Sequence, residues 1–183
     1  LARGYQFDID RLIYSITPQT KAIYVANPNN PTGAMISNEQ LSQLIDNVPD
    51  HVLIIVDEAY YEYAKVISDD YPDSFQLRRP NVITLRTFSK AYGIAGIRVG
   101  YALGEARLIE ALSKVKMTFA PSNLAQAAGI GALEDQAHIH KSVMLNKTAL
   151  QQFYTAMHDA ELEYTPSYGN FVMVDFKEEE LAK

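Results

Sequence analysis

Short, mostly apolar runs alternate with stretches of helical periodicity along most of this chain. Residues 22–26 (AIYVA), 52–56 (VLIIV) and 82–85 (VITL) have the length and the β-branched content of buried strands. Buried strands that alternate with helices form mostly parallel sheets with helices packed against them. The pattern therefore predicts an α/β fold whose mostly parallel sheet is flanked by helices.

Helices are predicted between and after these strands. They cover residues 8–16, 37–48, 105–116, 123–133 and 136–159. Ser37 and Gln40 form a capping box at the start of the second helix. In the third helix, Leu108, Leu112 and Val115 have helical spacing, so we expect them to face inward.

Two stretches depart from this alternation. Residues 61–80 are predicted to be irregular, with room for a short helix at 74–77. Near the end of the chain, 162–164 and 171–176 are predicted strands around a turn, and the long helix before them suits a connector between domains. We therefore predict a large domain at 1–135, a connecting helix at 136–160 and the beginning of a small C-terminal domain at 161–183.

Composition excludes several classes of partner and site. Apolar residues make up 48% of the chain and charged residues 21%, which is typical of soluble globular proteins. The net charge of −6 argues against nucleic-acid binding, and the absence of cysteine excludes disulfides and thiolate metal sites. The longest wholly apolar run, 52–56, is too short to cross a membrane. We expect a cytoplasmic protein without nucleic-acid or membrane partners.

Polar side chains follow each of the three apolar strands at the point where the strand ends. They are Asn30 after the first strand, Asp57 and Tyr60 after the second, and Thr87, Ser89 and Lys90 after the third, with Arg98 further on. Ligands bind in open α/β sheets at the carboxyl ends of the strands, so these groups are expected to converge on one crevice. A lysine close to an arginine there can bind an anion. It can also act as a nucleophile, because a neighbouring cation and desolvation favour its neutral amine.

Each of these features also has an ordinary structural explanation. Residues 27–33 can be only a turn, Asp57 a helix N-cap, Tyr60 a ring at the edge of the core and Arg98 a surface charge. Chemically compatible groups at three strand ends nevertheless favour a ligand site. No GxGxxG or GxxxxGK[ST] motif is present, so neither a dinucleotide site nor a P-loop is supported.

Three segments resemble, in order and spacing, the class I/II aminotransferases, which are pyridoxal-phosphate (PLP) enzymes of the aspartate aminotransferase fold. They are PNNPTG (28–33), VDEAY (56–60) and TFSKAYGIAGIRVGY (87–101). Within that family, APSNLAQAA (120–128) and PSYGNFVMVDF (166–176) are most similar to the histidinol-phosphate aminotransferases. The resemblance implies fold type I, with part of the large PLP-binding domain and the start of the small one. It also implies a strip of four strands, the last of them antiparallel.

The resemblance implies roles for four residues around the reacting part of the cofactor. Lys90 would form the Schiff base with PLP and, once displaced, would move the proton between the substrate Cα and the cofactor C4′. Asp57 would keep the pyridine nitrogen protonated, which makes the ring an electron sink. Tyr60 and Asn30 would hydrogen-bond the 3′ oxygen of the ring.

The phosphate end of the cofactor would be held by three further residues. Arg98 would clamp the phosphate dianion, to which a guanidinium is well suited, while Ser89 and Thr87 would add hydroxyl donors. All seven residues thus belong to the cofactor site that the resemblance implies.

The reaction implied is transamination of histidinol phosphate with 2-oxoglutarate, by an enzyme that is a homodimer at full length. The same cofactor residues would serve a PLP-dependent decarboxylase or lyase. They would also suit a non-catalytic sensing domain of a transcription regulator. An α/β domain without cofactor is the simplest alternative, but it leaves Lys90, Asp57 and Arg98 unexplained. Both chain ends look cut, so we expect a fragment with little or no activity by itself.

Overall fold

A four-stranded sheet forms the centre of the structure, a computed structural model that describes residues 3–77 and 79–177. Its strands lie in the order β1 (Ala22–Ala26), β2 (Leu53–Asp57), β3 (Val82–Thr87) and β4 (Gly100–Gly104). β1 pairs with β2 and β2 with β3 in parallel, whereas β3 and β4 are antiparallel. The predicted α/β class and the strip of four strands with an antiparallel last strand are confirmed.

Six α-helices and a second, two-stranded sheet complete the described part of the chain. They are α1 (Ile9–Tyr14), α2 (Asn38–Asn47), α3 (Tyr61–Ile67), α4 (Ala106–Val115), α5 (Asn123–Glu134), α6 (Gln136–Asp159) and the antiparallel strands β5 (Glu163–Thr165) and β6 (Met173–Asp175). The predicted capping box opens α2, since Gln40 N donates to Ser37 Oγ and Ser37 N to Gln40 Oε1. Among the residues described, no helix is both long and apolar enough to cross a membrane.

Helix α3 contradicts the prediction that residues 61–80 are irregular. Its sequence, YEYAKVI, is rich in aromatic and β-branched residues and has weak intrinsic helix propensity. The helix is stabilised instead by packing, because buried Tyr63 lies in one apolar cluster with Val143 of α6. The short helix considered at 74–77 is also wrong, because this stretch forms only hydrogen-bonded turns.

One face of the sheet, here called the covered face, carries the main apolar core. The face is formed by alternate strand residues, all of them buried and all but Thr84 apolar, namely Ile23, Val25, Ile54, Val56, Val82 and Thr84. Leu41, Leu44 and Ile45 of α2 belong to the same core. Burial of each such apolar side chain contributes about 1.5–3 kcal/mol, so this face holds the sheet together.

The opposite side of β1 and β2, here called the open face, is far less buried. It carries Ala22, Tyr24, Leu53, Ile55 and Asp57, none of which is fully buried. Tyr24 is 60% exposed although it lies in the middle of β1. The end of β2 therefore presents Asp57 to the open face, while the next residue, Glu58, turns to the covered face.

A second correction concerns which residues of helix α4 are buried. Leu112 and Val115 were expected to face inward, but they are 41% and 79% exposed, and only Leu108 and Ile109 are partly buried. The periodicity marks the apolar side of a helix but not the surface that covers it. Within the described residues, nothing buries this end of α4.

The turn that follows β5 packs against the loop that follows β1. Tyr168 N donates to Gly33 O at 2.9 Å, and Ser167 N donates to the hydroxyl of Tyr154 on α6 at 2.8 Å. Gly33 has φ +75°, and a Cβ there would lie 2.4 Å from Ser167 Oγ, so only glycine fits. The predicted division at 135 and 160 coincides with the ends of α6 and stays a prediction; residues 178–183 of its last part lie outside the described residues.

Candidate active site

The loop after β1 is held by its own polar groups. Asn27 is fully buried; its Oδ1 accepts from Ile36 N at 2.8 Å, and its backbone carbonyl accepts from the Tyr71 hydroxyl at 2.5 Å. Asn29 Nδ2 donates to Thr32 Oγ1 at 2.8 Å. The turn-forming residues therefore build a fixed loop that presents Asn30 at the carboxyl end of β1.

Asn30 and Tyr60 are brought into direct contact, as predicted for one site. Asn30 Nδ2 donates to the Tyr60 hydroxyl at 3.0 Å. The Tyr60 ring is only 5% exposed, and it packs edge-on against Phe171 with the ring centroids 5.1 Å apart. The phenol oxygen of Tyr60 thus has a fixed position between two segments distant in the chain.

Asp57 ends β2 on the open face, and its carboxylate accepts hydrogen bonds from two donors. Its Oδ1 accepts from Ala59 N at 3.0 Å, and its Oδ2 accepts from the hydroxyl of Tyr24 on β1. Partial burial, together with the bond to the carboxylate and its charge, raises the pKa of Tyr24 to about 12. The phenol therefore remains protonated at neutral pH and acts as a donor to Asp57.

Lys90 lies in a tight turn just after β3. Its Nζ is 5.1 Å from the centroid of the Tyr60 ring, within the range of a cation–π contact. Ser89 N donates to Thr87 Oγ1 at 3.1 Å, and Gly93 N donates to Lys90 O at 2.9 Å. The turn places the amine beside the phenol that Asn30 also contacts.

Arg98 is attached to the same edge of the sheet through its backbone. Phe88 N donates to Val99 O at 3.2 Å, which extends the pairing of β3 with β4 by one step, and Arg98 immediately precedes Val99 in the chain. Its φ and ψ of 57° and 53° are left-handed, a conformation that costs a non-glycine residue about 1–2 kcal/mol. The guanidinium is exposed and donates to Ala95 O at 2.9 Å. Across 3–77 and 79–177, no hydrogen bond or ion pair joins it to the other predicted residues.

A buried ion cluster lies on the covered side of the same strand ends, and sequence reasoning assigned it no role. It consists of Glu58, Asp73, Ser74, Thr84 and Arg86. Arg86 donates through Nε to Glu58 at 2.9 Å and through Nη2 to Asp73 at 2.6 Å. Ser74 N donates to the other oxygen of Glu58 at 2.9 Å, and the hydroxyls of Ser74 and Thr84 are 2.6 Å apart. The Arg86 guanidinium also lies 3.6 Å from the centre of the Tyr61 ring.

Electrostatics reflect how deeply this cluster is buried. Burial raises the pKa of Glu58, although Arg86 and Ser74 oppose that shift by favouring the carboxylate. Desolvation alone would lower the pKa of Arg86, but Glu58 and Asp73 outweigh it and raise that pKa. Nearby, burial raises the pKa of Glu62 to about 7, against the influence of its backbone and of Arg86.

The alternation of buried and exposed side chains along β2 and β3 was a sequence signal from which this cluster could have been predicted. Glu58 continues the buried positions Ile54 and Val56, and Arg86 continues Val82 and Thr84 on the neighbouring strand. Opposite charges on the buried side of two adjacent strands indicate an ion pair, because neither charge is stable there alone. The same alternation puts Tyr24 and Asp57 together on the open face.

A family model described as "Aminotransferase class I and II" matches residues 2–183. The chain belongs to this family. The resemblance stated from the sequence motifs is therefore confirmed, and with it the PLP-dependent fold type I.

Two curated relatives show which members of the family this chain is similar to. Histidinol-phosphate aminotransferase of Bacillus licheniformis is 46% identical over 172 residues, which are 93% of this chain and 47% of that protein. The enzyme of the same name from Bacillus subtilis strain 168 is 43% identical over 172 residues, with the same two shares. The chain thus spans about half the length of the curated relatives it matches.

Solved structures show the same similarity in three dimensions. Histidinol-phosphate aminotransferase from Sinorhizobium meliloti, crystallised with pyridoxal-5′-phosphate, has a TM-score of 0.89 and 33% identity, covering 97% of this chain and 48% of that one. Aspartate aminotransferase from Thermus thermophilus with maleate has a TM-score of 0.84 and 27% identity, with shares of 95% and 47%.

Proposed function

We propose that this chain forms the central part of a PLP-dependent aminotransferase that acts on histidinol phosphate, with 2-oxoglutarate as amino acceptor. One observation carries the proposal. The Lys90 amine lies beside a buried phenol, Tyr60, that Asn30 also contacts, at the same strand ends where Asp57 stands. The identity of 46% to a histidinol-phosphate aminotransferase supports the choice of substrate.

The residues present fit the functional groups of PLP. A carboxylate at Asp57 suits a protonated pyridine nitrogen, and the Asn30–Tyr60 pair suits the phenolic oxygen of the ring. The primary amine of Lys90 suits an aldehyde. When bound, PLP supplies an electron sink for the charge that develops at the substrate Cα.

The phosphate of the cofactor matches a separate group of residues. Thr87 at the end of β3 and Ser89 in the turn that follows offer hydroxyls, and Arg98 offers the only cation predicted for this part of the site. The guanidinium of Arg98 is exposed and, among the residues that the structure describes, is bound only to Ala95 O in its own turn, so it can exchange that bond for a phosphate oxygen.

The proposed catalytic work of the chain falls to two residues. Lys90 would take the proton from the substrate Cα and deliver it to the cofactor C4′, since a neutral amine is a suitable general base. Asp57 holds the proton on the pyridine nitrogen, and Ala59 N and the Tyr24 hydroxyl keep its carboxylate in place.

We further propose that the whole enzyme works in the cytoplasm as a homodimer, with small-molecule donor and acceptor substrates. The exposed apolar side chains at the end of α4 and beyond it, such as Val115, Met117 and Phe119, offer a surface for association. By itself the 183-residue chain is expected to turn over little or no substrate.

The decisive experiment is a PLP titration followed by absorption spectroscopy, before and after borohydride reduction. We expect a visible band that disappears on reduction, and we expect reduction to leave PLP covalently attached to Lys90, where peptide mass spectrometry would locate it. Lys90→Ala should lack the band, whereas Lys141→Ala, which changes an exposed lysine on α6, should keep it. A band of equal intensity in Lys90→Ala would overturn the assignment of Lys90.

Substrate choice is tested on the full-length enzyme that contains this chain. Histidinol phosphate and 2-oxoglutarate should yield glutamate with no release of carbon dioxide. Release of carbon dioxide from an amino acid substrate would instead identify the decarboxylase alternative. The absence of any turnover in an enzyme that binds PLP through Lys90 would favour the sensing domain.

A further inference from the structure

Tyr24 lies on the open face at a position from which it reaches Asp57. In the parallel pairing of β1 with β2, Tyr24 is opposite Ile55, and Ala26 is opposite Asp57. Tyr24 and Asp57 are therefore diagonal neighbours on the same face, about 7–8 Å apart at Cα, which a tyrosine side chain spans. The Tyr24 ring is 60% exposed, yet its hydroxyl is engaged with Asp57 Oδ2.

The carboxylate of Asp57 is fixed from two sides. Ala59 N approaches Oδ1 from the following turn, and the Tyr24 hydroxyl approaches Oδ2 from the neighbouring strand. Hydrogen bonds to a charged acceptor are stronger than neutral ones, so these donors define the plane of the carboxylate. Each carboxylate oxygen can accept more than one bond, which leaves capacity for a third donor.

We propose that Tyr24 is a positioning residue of the cofactor site. Its phenol holds the Asp57 carboxylate oriented toward a protonated heterocyclic nitrogen. This inference rests on the proposed function, because it assigns Asp57 to the pyridine nitrogen of PLP. The raised pKa of Tyr24 supports it, since the phenol remains a donor over the whole physiological range.

The first test needs no cofactor and measures the contact itself. The chain is labelled with tyrosine carrying ¹³C at Cζ, and the Tyr24 resonance is assigned with Tyr24→Phe and followed through a pH titration. We expect a pKa near 12 in the wild-type chain and a lower one in Asp57→Asn, because the carboxylate charge is gone. A Tyr24 resonance that titrates identically in both proteins would overturn the inference.

The second test measures what the contact does for the cofactor. In Tyr24→Phe, the dissociation constant of PLP, measured from the visible band, should rise about five- to tenfold, the effect of a lost bond to a charged group at a partly exposed site. Tyr14→Phe is the matched control, since Tyr14 is 91% exposed on α1, and its affinity should equal that of the wild type. Equal affinities of Tyr24→Phe and wild type would contradict the positioning role.

The two tests separate this inference from the proposed function. If the wild-type chain forms no band with PLP while the Tyr24 resonance still responds to Asp57→Asn, the proposed function fails and the Tyr24–Asp57 pairing is upheld. If the band forms on Lys90 but Tyr24→Phe binds PLP as the wild type does, the inference fails and the proposed function stands.

Discussion

Asp57 and Glu58 are neighbours in the chain, yet they lie in opposite environments. Glu58 continues the covered face, where its side chain is fully buried and bound by Arg86 and Ser74. Asp57 continues the open face, where it is partly exposed and bound by Ala59 and Tyr24. One step along an extended strand separates the two, since successive side chains point to opposite faces.

The difference shows how rigidity and reactivity are divided between the faces. In the described part of the chain, every buried side-chain nitrogen or oxygen has a hydrogen-bond partner. The buried ion cluster therefore ties the end of β2 to the end of β3 without an unsatisfied group, and it fixes the segments that carry Asp57 and Lys90. The open face keeps accessible polar atoms, which is what a ligand requires.

The largest expected effect comes from removing the carboxylate on the covered face. Glu58→Ala leaves Arg86 with one partner fewer and Ser74 N without its acceptor, so we expect a loss of about 3–5 kcal/mol in the free energy of unfolding. Urea denaturation followed by circular dichroism measures it.

Asp57→Ala is the matched control on the open face. We expect it to lower the free energy of unfolding by less than about 1 kcal/mol, because water can replace its lost hydrogen bonds. Similar losses in the two variants would mean that the faces do not differ in the way described.

Local sequence patterns were sufficient to predict the strands and to find the polar residues at their ends. The alternation of apolar residues located β1, β2 and β3, and the polar residues beyond them proved to include the Asn30–Tyr60 contact and the Lys90 turn. Both follow from the rule that parallel strands bring their carboxyl ends to one edge.

The remaining features depend on contacts between distant segments. Helix α3 has weak propensity and forms because α6 packs on it, some 80 residues later in the chain. The Arg86–Glu58 pair requires the register between β2 and β3, and the exposure of Val115 depends on which surface covers α4. None of these is encoded in a short window of sequence.

An intermediate effect is expected from Glu62, which lies near Glu58 and Arg86 and hydrogen-bonds Tyr92. Its pKa is raised from 4.5 to about 7, so the folded state binds its proton more tightly than the unfolded state does. The stability contributed by this proton is present below about pH 4.5 and is lost as the pH rises to about 7.

The Glu62 effect is isolated by comparison with Glu62→Gln, which cannot titrate. Between about pH 5 and pH 8, the wild-type chain should lose on the order of 1–2 kcal/mol more in its free energy of unfolding than the variant. Tyr92, Glu58 and Arg86 face Glu62 and are common to both proteins, so their titration cancels in the difference. Parallel stability profiles would show that Glu62 is not protonated in the folded chain near neutral pH.

The smallest expected effect lies at the end of α4. Val115 is 79% exposed, so Val115→Ala should change the free energy of unfolding by less than about 0.5 kcal/mol. Val52, which is fully buried in the core of the covered face, is the matched control, and Val52→Ala should cost about 2 kcal/mol through lost burial and the cavity left behind. If Val115→Ala were as destabilising as Val52→Ala, α4 would be packed in solution, and the contrast between the covered core and this exposed helix would fail. Light scattering adds a second criterion, because weaker self-association of Val115→Ala at unchanged stability would identify this end of α4 as a contact surface.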